Sequence, residues 1–129
     1  MRKRLLSLLL LSICGSMLFA QEPLDIDDVE QVPLGDFTYQ WRNICDRTPL
    51  HGKCRIILSY RSYTIAHFNK DGILDGLYEK YEDNHLVQKL TYVKGILRGK
   101  GYEYYTDGTV KKECVWNEQG KIDGLMIEY

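Results

Sequence analysis

The sequence predicts an all-β protein, an open single antiparallel sheet built from tandem β-hairpins. Three observations predict it. The pentapeptide Gly-x-x-x-Gly is written three times, as Gly72-Ile-Leu-Asp-Gly76, Gly95-Ile-Leu-Arg-Gly99 and Gly120-Lys-Ile-Asp-Gly124. Between the copies lie short runs rich in Tyr, Ile, Val and Thr, interrupted by polar turn residues. No window after the N-terminal segment carries the 3.6-residue apolar period of an amphipathic helix.

The elements follow in chain order. Arg2, Lys3 and Arg4 precede a run from residue 5 to 20 that is apolar except for small or weakly polar residues. That run is short for a membrane span, which needs about 20 apolar residues, and has the layout of a secretory signal peptide cut after Ala20. No transmembrane span is expected after cleavage. Removal takes away three basic residues and no acid, leaving 109 residues with 14 basic and 18 acidic side chains, a net charge of −4. Export then implies a periplasmic or secreted protein.

Residues 21–36 hold six acids (Glu22, Asp25, Asp27, Asp28, Glu30 and Asp36), no Lys or Arg, and two prolines, Pro23 and Pro33. Without a sustained apolar period, such a segment is expected to be an acidic flexible linker. It lacks the glycine and distal glutamate of a calcium-binding EF-hand loop. The domain is expected to run from 37 to 129. It opens with Phe37, Tyr39 and Trp41 alternating with polar residues, a period of two that puts three aromatics on one strand face.

Gly52, Gly76, Gly99 and Gly124 are spaced by 24, 23 and 25 residues, the range of stacked-repeat architectures. Each unit is expected to be a hairpin. Segments 56–60 and 63–68 flank a turn at Arg61-Ser62; 77–81 and 87–93 flank Asp83-Asn84-His85; 102–105 and 110–116 flank Asp107-Gly108. Asp-Gly favours a type I′ turn because both central residues need positive φ. The recurrent glycines (Gly52, Gly72, Gly76, Gly95, Gly99, Gly120 and Gly124) are expected to be structural, at bends or where hairpins approach closely. Five residues beyond each pentapeptide stands a tyrosine: Tyr81, Tyr104 and Tyr129. In a stacked sheet they share a register and are expected to form a ladder, either packing the core or presenting an aromatic binding surface. Residues 125–129 are expected to end as a sheet edge, covered by the chain's own packing or by edge-strand self-association.

Three cysteines remain after cleavage. Cys45 and Cys54 flank a turn-like segment and are the first choice for a disulfide, Cys54–Cys114 is the rival, and three unpaired thiols the third alternative.

Composition excludes several functions. Acids and bases are well mixed beyond residue 36, so no basic stripe exists to neutralise phosphates and no nucleic-acid binding is expected. His51, His67 and His85 lie 16 and 18 residues apart without metal-ligand spacing. The two mature serines, Ser59 and Ser62, lie in no nucleophile-elbow context. No cofactor and no catalytic activity are expected.

From Tyr104-Tyr105-Thr106-Asp107-Gly108-Thr109-Val110-Lys111 through Trp116 to the last pentapeptide, the chain resembles the MORN-repeat-variant family of bacterial proteins, often labelled YwqK-type antitoxin components. The resemblance covers roughly residues 52–129. Asn84-His85 stands where an Asp-Gly turn is expected, and Gly52 lacks a clean partner glycine and tyrosine. The resemblance implies a non-catalytic, elongated antiparallel sheet. The functional expectation is an exported repeat protein whose sheet binds a protein or cell-envelope component. The alternatives are a polysaccharide- or peptidoglycan-binding module using the tyrosine ladder, and an immunity-type protein whose acidic segment opposes a basic toxin.

Overall fold

The structure, a computed structural model, describes residues 22–123 and 126–129; the expected signal segment and Gly124 lie outside the described residues. In chain order the elements are β1 (Leu24–Asp25), a 3-10 turn (Ile26–Asp28), β2 (Val29–Gly35), β3 (Thr38–Asn43), β4 (Gly52–Ser59), β5 (Ser62–Phe68), β6 (Leu74–Glu82), β7 (His85–Val93), β8 (Ile96–Leu97), β9 (Gly99–Tyr104), β10 (Val110–Trp116) and β11 (Ile127–Glu128). The protein is nearly all β, and no α-helix occurs among the described residues.

From β4 onward the strands of the main sheet follow one another antiparallel, in the order β4-β5-β6-β7-β9-β10-β11, with β8 folding back on β7. Two features depart from a single antiparallel sheet. β1 joins the edge of β4 in parallel, pairing Leu24 with Ile56. β2 and β3 form a separate two-stranded ribbon, pairing Val29 with Asn43 and Gln31 with Trp41.

The ribbon corrects the expectation of a flexible linker over residues 21–36. Val29 is buried, and Leu24 and Ile26 pack against the same core. The carboxylates did not oppose this because they stay at the surface. Asp25 caps the 3-10 turn by accepting from the Asp27 amide (2.9 Å), and Glu30 pairs with Arg42 (2.6 Å). Average composition concealed three apolar residues whose burial orders the segment.

Turn chemistry sets the hairpins. Ser59 pairs with Ser62, so the first turn is Tyr60-Arg61, one residue earlier than the sequence suggested. The second is Asp83-Asn84, both left-handed (φ 50° and 63°), joining Glu82 to His85. Asx residues tolerate that region, which makes this pair a workable type I′ turn without glycine. At Asp107-Gly108 only Gly108 is left-handed (φ 90°). The loop is longer than a type I′ turn, closed by Tyr105 N–H to Thr109 O (2.9 Å) and Gly108 N–H to Tyr105 O (2.9 Å).

Strand alternation puts the core on one face. Cys54, Ala66 and Tyr78 align across β4–β6, as do Ile56 and Thr64. Cys54, Ile56, Ala66, Phe68 and Leu74 are buried there under Val29 of the ribbon and Leu50 of the β3–β4 connection. Trp41 lies against Phe68 at 5.5 Å between ring centroids. Thr64 is fully buried, and its Oγ1 finds no partner among the described residues. Thr64→Val keeps the shape and removes an unmet hydroxyl, so it is expected to raise stability by about 1–2 kcal/mol in urea denaturation. A loss of stability would show that the hydroxyl is bonded.

The expected Cys45–Cys54 disulfide is not formed; Cys45, Cys54 and Cys114 are all thiols. Cys54 points into the core, where burial pushes its thiol up, whereas Cys45 is exposed after β3. Cys114 also faces inward, but five strand positions from β4, about 24 Å at the spacing of paired strands. A disulfide needs Cα atoms within about 7 Å.

At the far end β10 is covered by the chain itself. β11 pairs with Lys112 and Glu113, Ile122 bridges Trp116, and the Tyr129 amide donates to Lys111 O (2.8 Å). Among the described residues β11, two residues long, is the last strand on this side, and short edges are one way proteins limit edge pairing.

Candidate functional site

The sheet offers two surfaces. The outer one lies opposite the core. There Tyr63 faces Tyr81 across β5–β6, with ring centroids 5.0 Å apart and planes 13° from parallel. The Arg55 guanidinium sits 4.1 Å from the Tyr63 centroid, from the β4 side. Tyr102 and Tyr104 stack along β9 at 6.0 Å.

The expected tyrosine ladder is only partly assembled. Tyr81 and Tyr104 share the outer face, but each stacks on a different tyrosine, Tyr63 and Tyr102, and β7 lies between them. Tyr129 is exposed at the chain end, where its carbonyl accepts from the Tyr105 hydroxyl (2.7 Å). Bulges between Lys80 and Tyr81 and between Val110 and Lys112 shift the register that a constant offset in sequence assumes.

Burial pushes the Tyr81, Tyr104 and Tyr92 hydroxyls up, and the negative charge of Glu79 adds to the effect at Tyr81 and Tyr104. A folded-state pKa above the unfolded value means the folded protein holds the proton longer. That stability is present below the ordinary tyrosine pKa, about 10, and lost as pH rises through the folded value. Thermal stability is therefore expected to fall above about pH 10. Tyr92→Phe should flatten that fall, since Tyr92 is the most buried of the three. A midpoint independent of pH across this window would contradict the assignment.

All six described motif glycines (Gly52, Gly72, Gly76, Gly95, Gly99 and Gly120) have positive φ. Two of them show why the residue after the glycine matters. A Cβ on Gly95 would lie 3.0 Å from the Ile73 side chain, and one on Gly120 would strike Ile96. Ile73 follows Gly72, and Ile96 follows Gly95. The loops at Gly72 and Gly120 are bonded alike: Asn69 and Asn117 each accept a glycine amide (3.1 and 3.0 Å) and donate to the residue four positions on.

The inner surface holds an open cleft of about 590 Å³ where the ribbon leans over the main sheet. Tyr39 and Trp41 of β3 form one wall, Tyr92 and Leu97 the floor, and the loop of Gln119 and Lys121 the other wall. Leu97 is shared with a second hollow of about 250 Å³, which reaches Leu90 and Trp116. Gly101 lies under this part. A Cβ there would collide with the six-membered ring of Trp116 and lie 2.8 Å from Leu90. The missing side chain is what seats the indole on the sheet. Phe37 stands at the mouth, 95% exposed and left-handed (φ 64°), in the β2–β3 turn rather than in the strand the alternation suggested.

Sequence alternation singled out Phe37, Tyr39 and Trp41 but not the opposite wall. The available signal was Gly101, a third glycine just after Gly99 that the pentapeptide does not explain. Among the described residues no group of three or more His, Cys, Asp or Glu is arranged to hold a metal ion, and no helix is long and apolar enough to cross a membrane.

No family model matches the chain, and no curated protein does. Among solved structures, a crystal structure of TarM is similar at a TM-score of 0.41 with 14% identity, over 74% of this chain. A mutant of S. aureus TarM in complex with fondaparinux, α-GlcNAc-glycerol and UDP gives the same TM-score at 18% identity. The chain spans 18% of the length of each.

Proposed function

We propose that this chain is an exported, non-catalytic repeat protein of the MORN-variant type, whose sheet serves as a binding surface for a protein or cell-envelope component. The observation that carries the reading is the outer face. Four stacked tyrosines lie there beside Arg55 and Glu79, although the core is built on the other side and does not need them. Aromatic rings among mixed charges, with an apolar body and a polar tip, are the composition of interaction surfaces. The succession of antiparallel strands, the Ile73–Gly95 and Ile96–Gly120 contacts and the matching loops at Gly72 and Gly120 support the tandem-hairpin reading.

A glycan reading placed on the tyrosine ladder draws less support. Sugars stack on open ring faces, and those of Tyr63 are taken up by Arg55 and Tyr81. The exposed carboxylates of Asp25, Asp27 and Asp28 at the first turn favour a basic partner, as the immunity-type alternative requires.

Two measurements test the proposal. N-terminal sequencing of protein recovered from cells should begin at Gln21; a chain retaining Met1 would remove the export argument. Purified protein should co-sediment with envelope fractions, and Tyr81→Ala with Tyr104→Ala should weaken this by about tenfold, or 1.4 kcal/mol. Undiminished binding by the double variant would shift the surface elsewhere.

A further inference from the structure

We propose that the inner trough is a second binding site, separate from the outer face, and that it takes a neutral oligosaccharide. Its size suits a ligand of a few rings. The main cleft, about 590 Å³, falls within the range of small-molecule sites, and the hollow beyond Leu97 extends it along the sheet.

The aromatic groups are placed for stacking. The protein has two tryptophans, and both line this trough, Trp41 at one end and Trp116 at the other. Tyr39 of the ribbon wall and Tyr92 of the floor add two more rings. Trp116 needs the bare backbone of Gly101 beneath it. A glycine inside a strand weakens the strand, so its presence under an indole is a cost tied to this surface. Phe37 adds an exposed ring, held in a left-handed conformation that a bulky residue rarely adopts.

The polar groups select the ligand's chemistry. Gln31 and Gln119 both line the cleft, and Gln88 lines the second hollow. Each carboxamide both donates and accepts, which matches hydroxyl groups that also do both. Charges cancel along the trough: Asp36 against Lys121, and Glu103 against Lys112, whose side chains are 3.7 Å apart. No excess of positive charge is present to hold a phosphate or a sulfated sugar. An apolar peptide could meet the carboxamides only through its backbone, one donor and one acceptor per residue, whereas a sugar presents several hydroxyls on every ring. A sugar ring offers an apolar C–H face to the aromatics and hydroxyls to the glutamines.

Because both tryptophans line the site, their fluorescence reports occupancy. Chitotetraose, cellotetraose and maltotetraose are titrated separately into the purified protein. At least one is expected to give a saturable change with a millimolar or tighter Kd. Gln119→Ala and Trp116→Phe should weaken it by about tenfold. Gln119 is exposed and enters its loop's bonding through its backbone amide, so Gln119→Ala preserves the fold. Arg61→Ala, in the remote β4–β5 turn, should bind as wild type does. The proposal is overturned if none of the three sugars saturates the signal, if Gln119→Ala leaves the affinity unchanged, or if a capped leucine–phenylalanine peptide saturates the signal and the sugars do not. None of these outcomes bears on envelope binding by the outer face, which is read out through Tyr81 and Tyr104.

Discussion

Gly72→Ala is expected to lower stability by about 2–4 kcal/mol, shifting the urea midpoint sharply downward. Gly72 is left-handed (φ 76°), a region that disfavours any Cβ by about 1–2 kcal/mol. The larger effect is steric. The new Cβ would stand 2.5 Å from the Trp41 carbonyl oxygen and 3.0 Å from Pro49 Cβ. That carbonyl already accepts from Leu50 N–H (2.9 Å), and the Trp41 amide donates to Gly72 O (2.7 Å). The backbone at this junction is held from both sides, so moving it away breaks the seam between the ribbon and the main sheet. Gly99→Ala supplies the internal control. Its φ is nearly the same, 74°, but nothing lies within 4 Å of the added carbon. Its cost should stay near the conformational share alone, about 1–2 kcal/mol. Equal losses at the two positions would refute the steric account.

Ile56→Ala is expected to be the most damaging single truncation, costing about 2–5 kcal/mol. Ile56 is 1% exposed in the cluster that joins the main sheet to the N-terminal segment. Its strand neighbour on the edge side is Leu24 of β1, so its loss loosens both layers. The core is thin, with eight buried hydrophobic side chains among the described residues, and total stability for a domain of this class is about 5–15 kcal/mol. Ile57→Ala, next in sequence but directed to the outer face, should cost clearly less. Urea denaturation with an unchanged slope would confirm a pure stability effect. A loss at Ile57 matching that at Ile56 would mean the inner face is not where the core energy lies.

How far the sequence was legible depends on the range of the interactions concerned. Strand existence and the antiparallel succession from β4 to β10 were written locally, in period-two runs punctuated by turn residues. The positive φ of the recurrent glycines was legible for the same reason. Turn positions were legible to within a residue: Tyr60-Arg61 for Arg61-Ser62, and Asp83-Asn84 within the expected Asp83-Asn84-His85 break. The tyrosine offset, in contrast, assumed that residues equally spaced in sequence stay in register across strands. Bulges at Lys80/Tyr81 and Val110/Lys112 broke that assumption, and bulges depend on partner strands that the local sequence does not specify.

By itself the sequence determined that this chain forms strands rather than helices, where it bends, and which residue types those bends require. These are short-range properties of backbone sterics and side-chain periodicity. Only the tertiary structure decided that residues 24–35 join the fold, that Cys45 and Cys54 stay apart, and that Trp41 and Trp116 line two hollows sharing Leu97. Each of those outcomes rests on burial between segments distant in the chain, where a few well-placed apolar side chains outweigh the average polarity of the residues around them.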